Sequence, residues 1–211
     1  AHRLEELGIE VVDVDLPWHR HALHVWNVIG TDGVTAQMIE GNGYGHNWDG
    51  LYDPELVEFY GRQRREVVDR WSPTVTFIAL AGRWSFEQLQ SRHHAMARNL
   101  VPEVRRQYDA ALADVDLLVL PTVPMVARPL PAPDDPVEVR VARALEMIVN
   151  TAPFDVSGHP ATSVPAAPVD GLPTGMMLVG RRWQDATCLR VAHAYEQLVG
   201  GFPAPPALSR A

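Results

Sequence analysis

No lysine occurs among the 211 residues; all 18 basic side chains are arginine. Arginine stays protonated at ordinary pH, so none of these side chains can serve as a general base. Serine is scarce too, with six residues. A single cysteine, Cys188, excludes an internal disulfide and leads us to expect a reducing, cytoplasmic setting. No apolar run approaches the length that spans a bilayer, and no signal-peptide pattern is present. Positive charge is in deficit: 26 acidic against 18 basic residues leave a net charge of −8, and the basic residues form no run. A nucleic-acid partner needs a positive face for phosphates, and an anionic membrane surface needs the same, so neither is expected.

Proline and glycine, at 18 and 15 residues, are abundant and predict many loops and turns within one domain. Ala1–Leu7 reads as the end of an amphipathic helix stopped by Gly8, and Ile9–Val14 as a strand closed by Leu16-Pro17. The helical pattern already runs at Ala1, which leads us to expect a fragment of a longer polypeptide. His21–Met38 has helical spacing, with interruption expected at Gly30 or Gly33. Gly41–Gly50 (GNGYGHNWDG) is glycine-rich but lacks the preceding strand, third glycine and following helix of a dinucleotide fingerprint, so it reads as a loop.

Asp53-Pro54 and Ser72-Pro73 are helix starts, each a capping side chain followed by proline at the first turn. Ser85–Arg105 reads as a further long helix, and Tyr108–Asp114 ends this helical layer. Val115–Leu120 looks like the most buried strand. Arg128–Pro136, with prolines at 129, 131, 133 and 136, can only be an extended surface loop. Val137–Val149 returns to helix with Val141, Leu145 and Ile148 on one face. Residues 202–211 form a Pro-rich tail.

The densest information lies in Asn150–Trp183, NTAPFDVSGHPATSVPAAPVDGLPTGMMLVGRRW. Two apolar runs, Ala161–Pro165 and Met176–Gly180, flank Asp170-Gly171. Glycine tolerates positive φ and aspartate bonds its own backbone, so that pair predicts a turn. Asp185–Val199 follows with helical spacing, an acidic first turn and Gly200-Gly201 as its stop. The unit is strand, turn, strand, helix.

Asp155, Ser157 and His159 resemble a compressed Ser-His-Asp set. On extended backbone, successive members would sit roughly 6.6–7 Å apart, beyond hydrogen-bond reach. A local structural role is therefore expected, with the three side chains holding the loop before the strand. His19, His21 and His24, or His93-His94, invite a metal reading, but no carboxylate or thiolate is placed to complete a site. They read as surface or interface histidines. Cys188, between apolar neighbours in the last helix, reads as a buried small hydrophobe.

The run Asn150-x7-Gly158-x-Pro160-Ala161-x-Ser163-Val164-Pro165, then Gly171-Leu172-Pro173-x-Gly175-Met176-x-Leu178-x-Gly180-Arg181, resembles the C-terminal core of the amidase signature family. The likeness covers essentially the whole chain and is nearest to bacterial amidases found beside nitrile hydratases. It implies an α/β fold, a central mixed β-sheet flanked by α-helices, with the N-terminal half of the fold absent. Residues 1–211 would be the C-terminal portion of one domain.

The activity it implies is hydrolysis of a carboxamide to acid and ammonia through an acyl-enzyme, with no metal and no cofactor. Family members attack with a Ser–cis-Ser–Lys triad, which a chain without lysine cannot supply; no catalytic residue is assigned here. The resemblance implies that Trp26, Leu145 and Ile148 line the pocket for an apolar acyl group, with Thr122 a weaker candidate. Expected partners are the amide, the missing N-terminal half and a homodimeric copy. The alternative is a truncated or degenerate homologue with a binding or complementing role.

Overall fold

The computed structural model describes residues 2–44 and 50–202. Most of the tail, and residues 45–49 of the glycine-rich loop, lie outside them. A short helix, His2–Glu5 (α1), turns at Gly8, whose φ of +75° suits glycine. After an irregular segment comes Trp18–Gly33 (α2), which passes Gly30 unbroken and changes at Gly33 into a π-helix, Val34–Glu40. Pro54–Glu66 (α3) and Pro73–Leu89 (α4) start where their caps predict. Asp53 accepts the Leu56 N–H at 3.0 Å and Ser72 accepts that of Val75 at 3.3 Å. Such a cap is worth about 1 kcal/mol. Arg92–Asp114 (α5) follows a break at Gln90 and Ser91, both at positive φ. The expected helix boundary at Ser85 is therefore corrected: α4 runs through it.

Leu117–Pro121 (β1) precedes the proline-rich loop and Val137–Leu145 (α6). The helix expected to reach Val149 instead tightens into a 3-10 turn over Glu146–Asn150, with Leu145 at φ −107° where the two meet. Ala152–Ser157 (α7) replaces the extended backbone expected there, and Gly158, at φ +76°, ends it. Ala161–Val169 (β2) and Leu172–Gly180 (β3) then lead to Asp185–Leu198 (α8), stopped at Gly200 and Gly201 as expected. Asp170 and Gly171 both take positive φ, 50° and 76°, which closes the β2–β3 hairpin in two residues.

The sheet order is β1-β3-β2, and both pairings are antiparallel. β3 is central and its two faces are both covered. Met177 and Val179 pack against α2, α5 and α7 through Ala22, Val25, Val101, Val104, Tyr108 and Phe154. Met176 and Leu178 pack on the other face against Leu4, Ala192 and Tyr195 of α1 and α8. Each such side chain contributes roughly 1.5–3 kcal/mol on full burial. The arrangement is helices, sheet, helices, in the α/β class expected, and the strands contributed by this chain are all antiparallel.

Two expectations about strands are corrected. Ile9–Val14 forms no regular element and pairs with no strand among the described residues. β1, expected to be the most buried strand, is an edge, with Val119 41 % exposed; the buried strand is β3.

Candidate functional site

A cleft of about 1000 Å³ lies between the irregular segment Gly8–Pro17 and the stretch Asp114–Leu120 that includes the free edge of β1. His19, Tyr108 and Phe154 close one part of it. A polar relay runs through these residues. His19 Nδ1 lies 2.8 Å from the Tyr108 hydroxyl and its Nε2 lies 3.3 Å from Asn150 Oδ1. The Asn150 amide nitrogen donates to the Pro121 carbonyl at 2.8 Å. Because Asn150 Oδ1 can only accept, His19 carries its proton on Nε2, and Nδ1 accepts from Tyr108. Burial holds the His19 imidazole below its ordinary pKa, opposed by the Asn150 bond, so it is neutral near pH 7. Burial also raises the Tyr108 phenol. The relay ties α2, α5, the 3-10 turn and the end of β1 together, and it pins the start of the motif beginning at Asn150.

Just beyond, Thr122 and Ser163 share a hydrogen bond of 2.6 Å. Gly175 makes room for it: a Cβ there would lie 2.7 Å from Thr122 Oγ1 and 3.0 Å from Ser163 Oγ.

Ser157 and His159 do meet, but not with Asp155. His159 Nδ1 is 3.0 Å from Ser157 Oγ, and its Nε2 is 3.3 Å from Asp109 on α5. Asp109 also receives Arg182, and Arg105 donates to the Ser157 carbonyl at 3.0 Å. The helix α7 turns Asp155 away, where it accepts from the Trp26 indole and burial raises its pKa. The resulting Ser-His-Asp order has the connectivity of a triad without its access. Ser157 is 0 % exposed, so no substrate carbonyl can reach its oxygen. Burial lowers the His159 pKa despite Asp109, leaving a neutral imidazole that bridges α5 to the loop before β2. The structural role expected for this segment stands, with Asp109 in place of Asp155.

Trp26 lies midway along α2, half-buried against the sheet-facing core and over Gly30. Leu145 ends α6, and Ile148 lies in the 3-10 turn that packs on α2; both are half-buried. All three belong to elements on the α2 side of the sheet, and none lines the large cleft. Sequence reasoning missed Tyr108 and Asp109. Tyr108 carries one legible signal, a hydroxyl on the apolar stripe Val101, Val104, Leu112 of α5. Among the described residues, no group of three or more His, Cys, Asp or Glu side chains is placed to hold a metal. Cys188 is buried, its Sγ directed at the Pro160 carbonyl at 3.7 Å, and burial raises its thiol pKa.

Comparison with known proteins gives a consistent picture. Residues 1–189 match the family profile described as Amidase. The chain is 52 % identical over 185 residues to an uncharacterized protein in the nthA 5′ region of Rhodococcus erythropolis, covering 88 % of this chain and 93 % of that one. It is 48 % identical over 201 residues to an enantioselective amidase of Rhodococcus rhodochrous, covering 95 % of this chain but 38 % of that enzyme. Among solved structures, one described as an amidase superposes with a TM-score of 0.66 at 25 % identity, over 93 % of this chain and 39 % of the other. A 6-aminohexanoate cyclic dimer hydrolase complexed with substrate superposes with a TM-score of 0.60 at 26 % identity, over 93 % and 39 %.

Proposed function

The chain belongs to the amidase signature family, and on that premise we propose that it is the C-terminal portion of an amide hydrolase that is inactive alone. The observation that carries this reading is arithmetic. The chain spans 38 % of the length of the Rhodococcus rhodochrous amidase and contains no lysine. A Ser–cis-Ser–Lys triad must therefore come from polypeptide outside these residues. There a serine oxygen would bond to the amide carbonyl carbon, ammonia would leave with the proton relayed through the second serine and the lysine, and water would release the acid.

This chain's part is the apolar wall. Trp26, Leu145 and Ile148 would pack on the acyl group, exclude water from the tetrahedral intermediate and limit substrate size. A carboxamide with a bulky apolar acyl group fits such a wall. No cofactor enters the reaction, and two copies of the completed enzyme would form the homodimer.

A second reading has one observation in its favour. The match covers 93 % of the Rhodococcus erythropolis relative, whose sequence is of about the same extent as this chain. In that reading the chain binds or complements without catalysis of its own. Ammonia release from benzamide and propionamide separates the two. Activity only when the chain is mixed with an amidase-family N-terminal portion supports the hydrolase reading. Binding of that portion with no activity supports the second, and activity of this chain alone contradicts both.

A further inference from the structure

A second cavity, of about 530 Å³, opens where the chain leaves the π-helix and meets α3. The turn that borders it is seated on α3 by specific contacts. Tyr44 N–H donates to the Gly41 carbonyl at 2.8 Å. Asn42, at φ +52°, accepts from Arg64 Nε at 2.7 Å. Gly61 is buried beneath Asn42, and a Cβ there would stand 2.9 Å from the Asn42 amide nitrogen. The absence of a side chain at Gly61 lets the turn lie close to the helix and carries the Tyr44 ring to the cavity.

Two kinds of surface meet there. One is aromatic. The Tyr44 and Tyr52 rings both line the cavity, with centroids 6.2 Å apart and planes inclined by only 22°. Tyr44 is 77 % exposed, so much of its ring is open to a flat ligand. Pro54 and Val57 continue the apolar surface.

The other surface is cationic. Arg62 lies 3.3 Å from Glu58, one turn earlier on α3, and both border the cavity. Arg65 borders it too and has no carboxylate or hydrogen-bond partner among the described residues. The cavity therefore offers one uncompensated guanidinium beside one neutralised pair. That balance suits a single negative charge. A dianionic phosphate would meet the Glu58 carboxylate, whereas a carboxylate matches the planar fork of one guanidinium.

We propose that this cavity binds an aromatic carboxylate, with its ring on the Tyr44–Tyr52 surface and its charge on Arg65. Trp26, Leu145 and Ile148 do not line the cavity, and the proposal does not rest on the hydrolase reading.

The test titrates residues 1–211 with para-fluorobenzoate and follows the fluorine resonance by NMR. Saturable broadening that benzoate displaces is expected. Para-fluorobenzamide keeps the ring and loses the charge; cyclohexanecarboxylate, used as a competitor, keeps the charge and loses the flat ring. Each is expected to bind at least about fivefold more weakly. Arg65→Gln should weaken para-fluorobenzoate about tenfold and Tyr44→Ala about fivefold. Tyr44→Phe, which keeps the ring, should bind as the parent does. Both side chains are exposed, so the three variants should keep the parent's circular dichroism.

Binding unchanged by both Arg65→Gln and Tyr44→Ala overturns the proposal and assigns the benzoate to another surface. Equal affinity for para-fluorobenzamide overturns it as well, because the guanidinium would then contribute nothing. So does the lack of any saturable binding at roughly 10 mM. None of these results bears on ammonia release, so the hydrolase reading stands or falls separately.

Discussion

Gly82 sets two physical effects against each other, and the packing effect should win. It lies inside α4, where replacing glycine with alanine ordinarily stabilises by about 1 kcal/mol through backbone entropy. A Cβ at Gly82, however, would stand 2.1 Å from Thr35 Oγ1, 2.6 Å from Thr35 Cβ and 2.9 Å from the Thr31 carbonyl. Thr35 cannot swing aside freely, because it is 1 % exposed and its hydroxyl bonds the Ile78 carbonyl at 3.2 Å. Next to it, buried Asp32 accepts from Ser85 at 3.1 Å, which fixes the same crossing of α2 on α4.

Overpacking of this kind costs typically 1–3 kcal/mol and more where backbone must move. After the entropy gain is subtracted, Gly82→Ala should destabilise by roughly 1–2 kcal/mol net, lowering Tm by about 2–8 °C at some 2–4 °C per kcal/mol. Gly33→Ala is the control. Gly33 ends α2 with φ −67°, and nothing lies within 4 Å of its added Cβ, so it should hold or raise Tm. Thermal unfolding by circular dichroism reads both. A Gly82→Ala protein as stable as the parent would refute the packing argument.

Three further outcomes follow from the same contacts. Ser157→Ala should leave ammonia release by the reconstituted enzyme intact while costing about 1–3 kcal/mol in denaturant unfolding, because His159 Nδ1 loses its buried partner; abolished turnover in a folded protein would restore the triad reading. His19 and His159 are both held below their ordinary pKa, so below about pH 6.5 the unfolded chain takes up protons that the folded chain does not. Stability should therefore fall as pH drops through 6.5 toward 5, and a urea midpoint flat across that window would contradict the buried-neutral assignment. Trp26→Ala in the reconstituted enzyme should shift preference from benzamide toward larger amides by about tenfold or more in kcat/KM, and an unchanged ratio would remove Trp26 from the acyl pocket.

Local chemistry was legible in the sequence, and distant pairing was not. Asp53, Ser72 and Asp170-Gly171 act through bonds or dihedrals within three residues of themselves, and all three did what their types predict. Apolar runs marked the right strands but misjudged burial. Leu117–Leu120 is apolar throughout, yet among the described residues β1 has one neighbouring strand and β3 has two. Periodicity tells which face is apolar and says nothing of what covers it. The alternation in Ile9–Val14 is that of a strand, yet it pairs with no strand among the described residues. The polar links show the same limit. His19 meets Tyr108 and Asn150 across 89 and 131 residues, and His159 meets Asp109 across 50. The short spacing that suggested Asp155 was overruled by the helix α7, which rotates alternate residues to different sides.

The most direct measurement locates the acyl group. Benzamide turnover by the reconstituted enzyme would be stopped in acid within milliseconds and each polypeptide weighed by intact mass spectrometry. The account predicts a benzoyl adduct on the N-terminal polypeptide and an unmodified chain of residues 1–211. A benzoyl adduct on this chain, at Ser157 or any other residue, would contradict it.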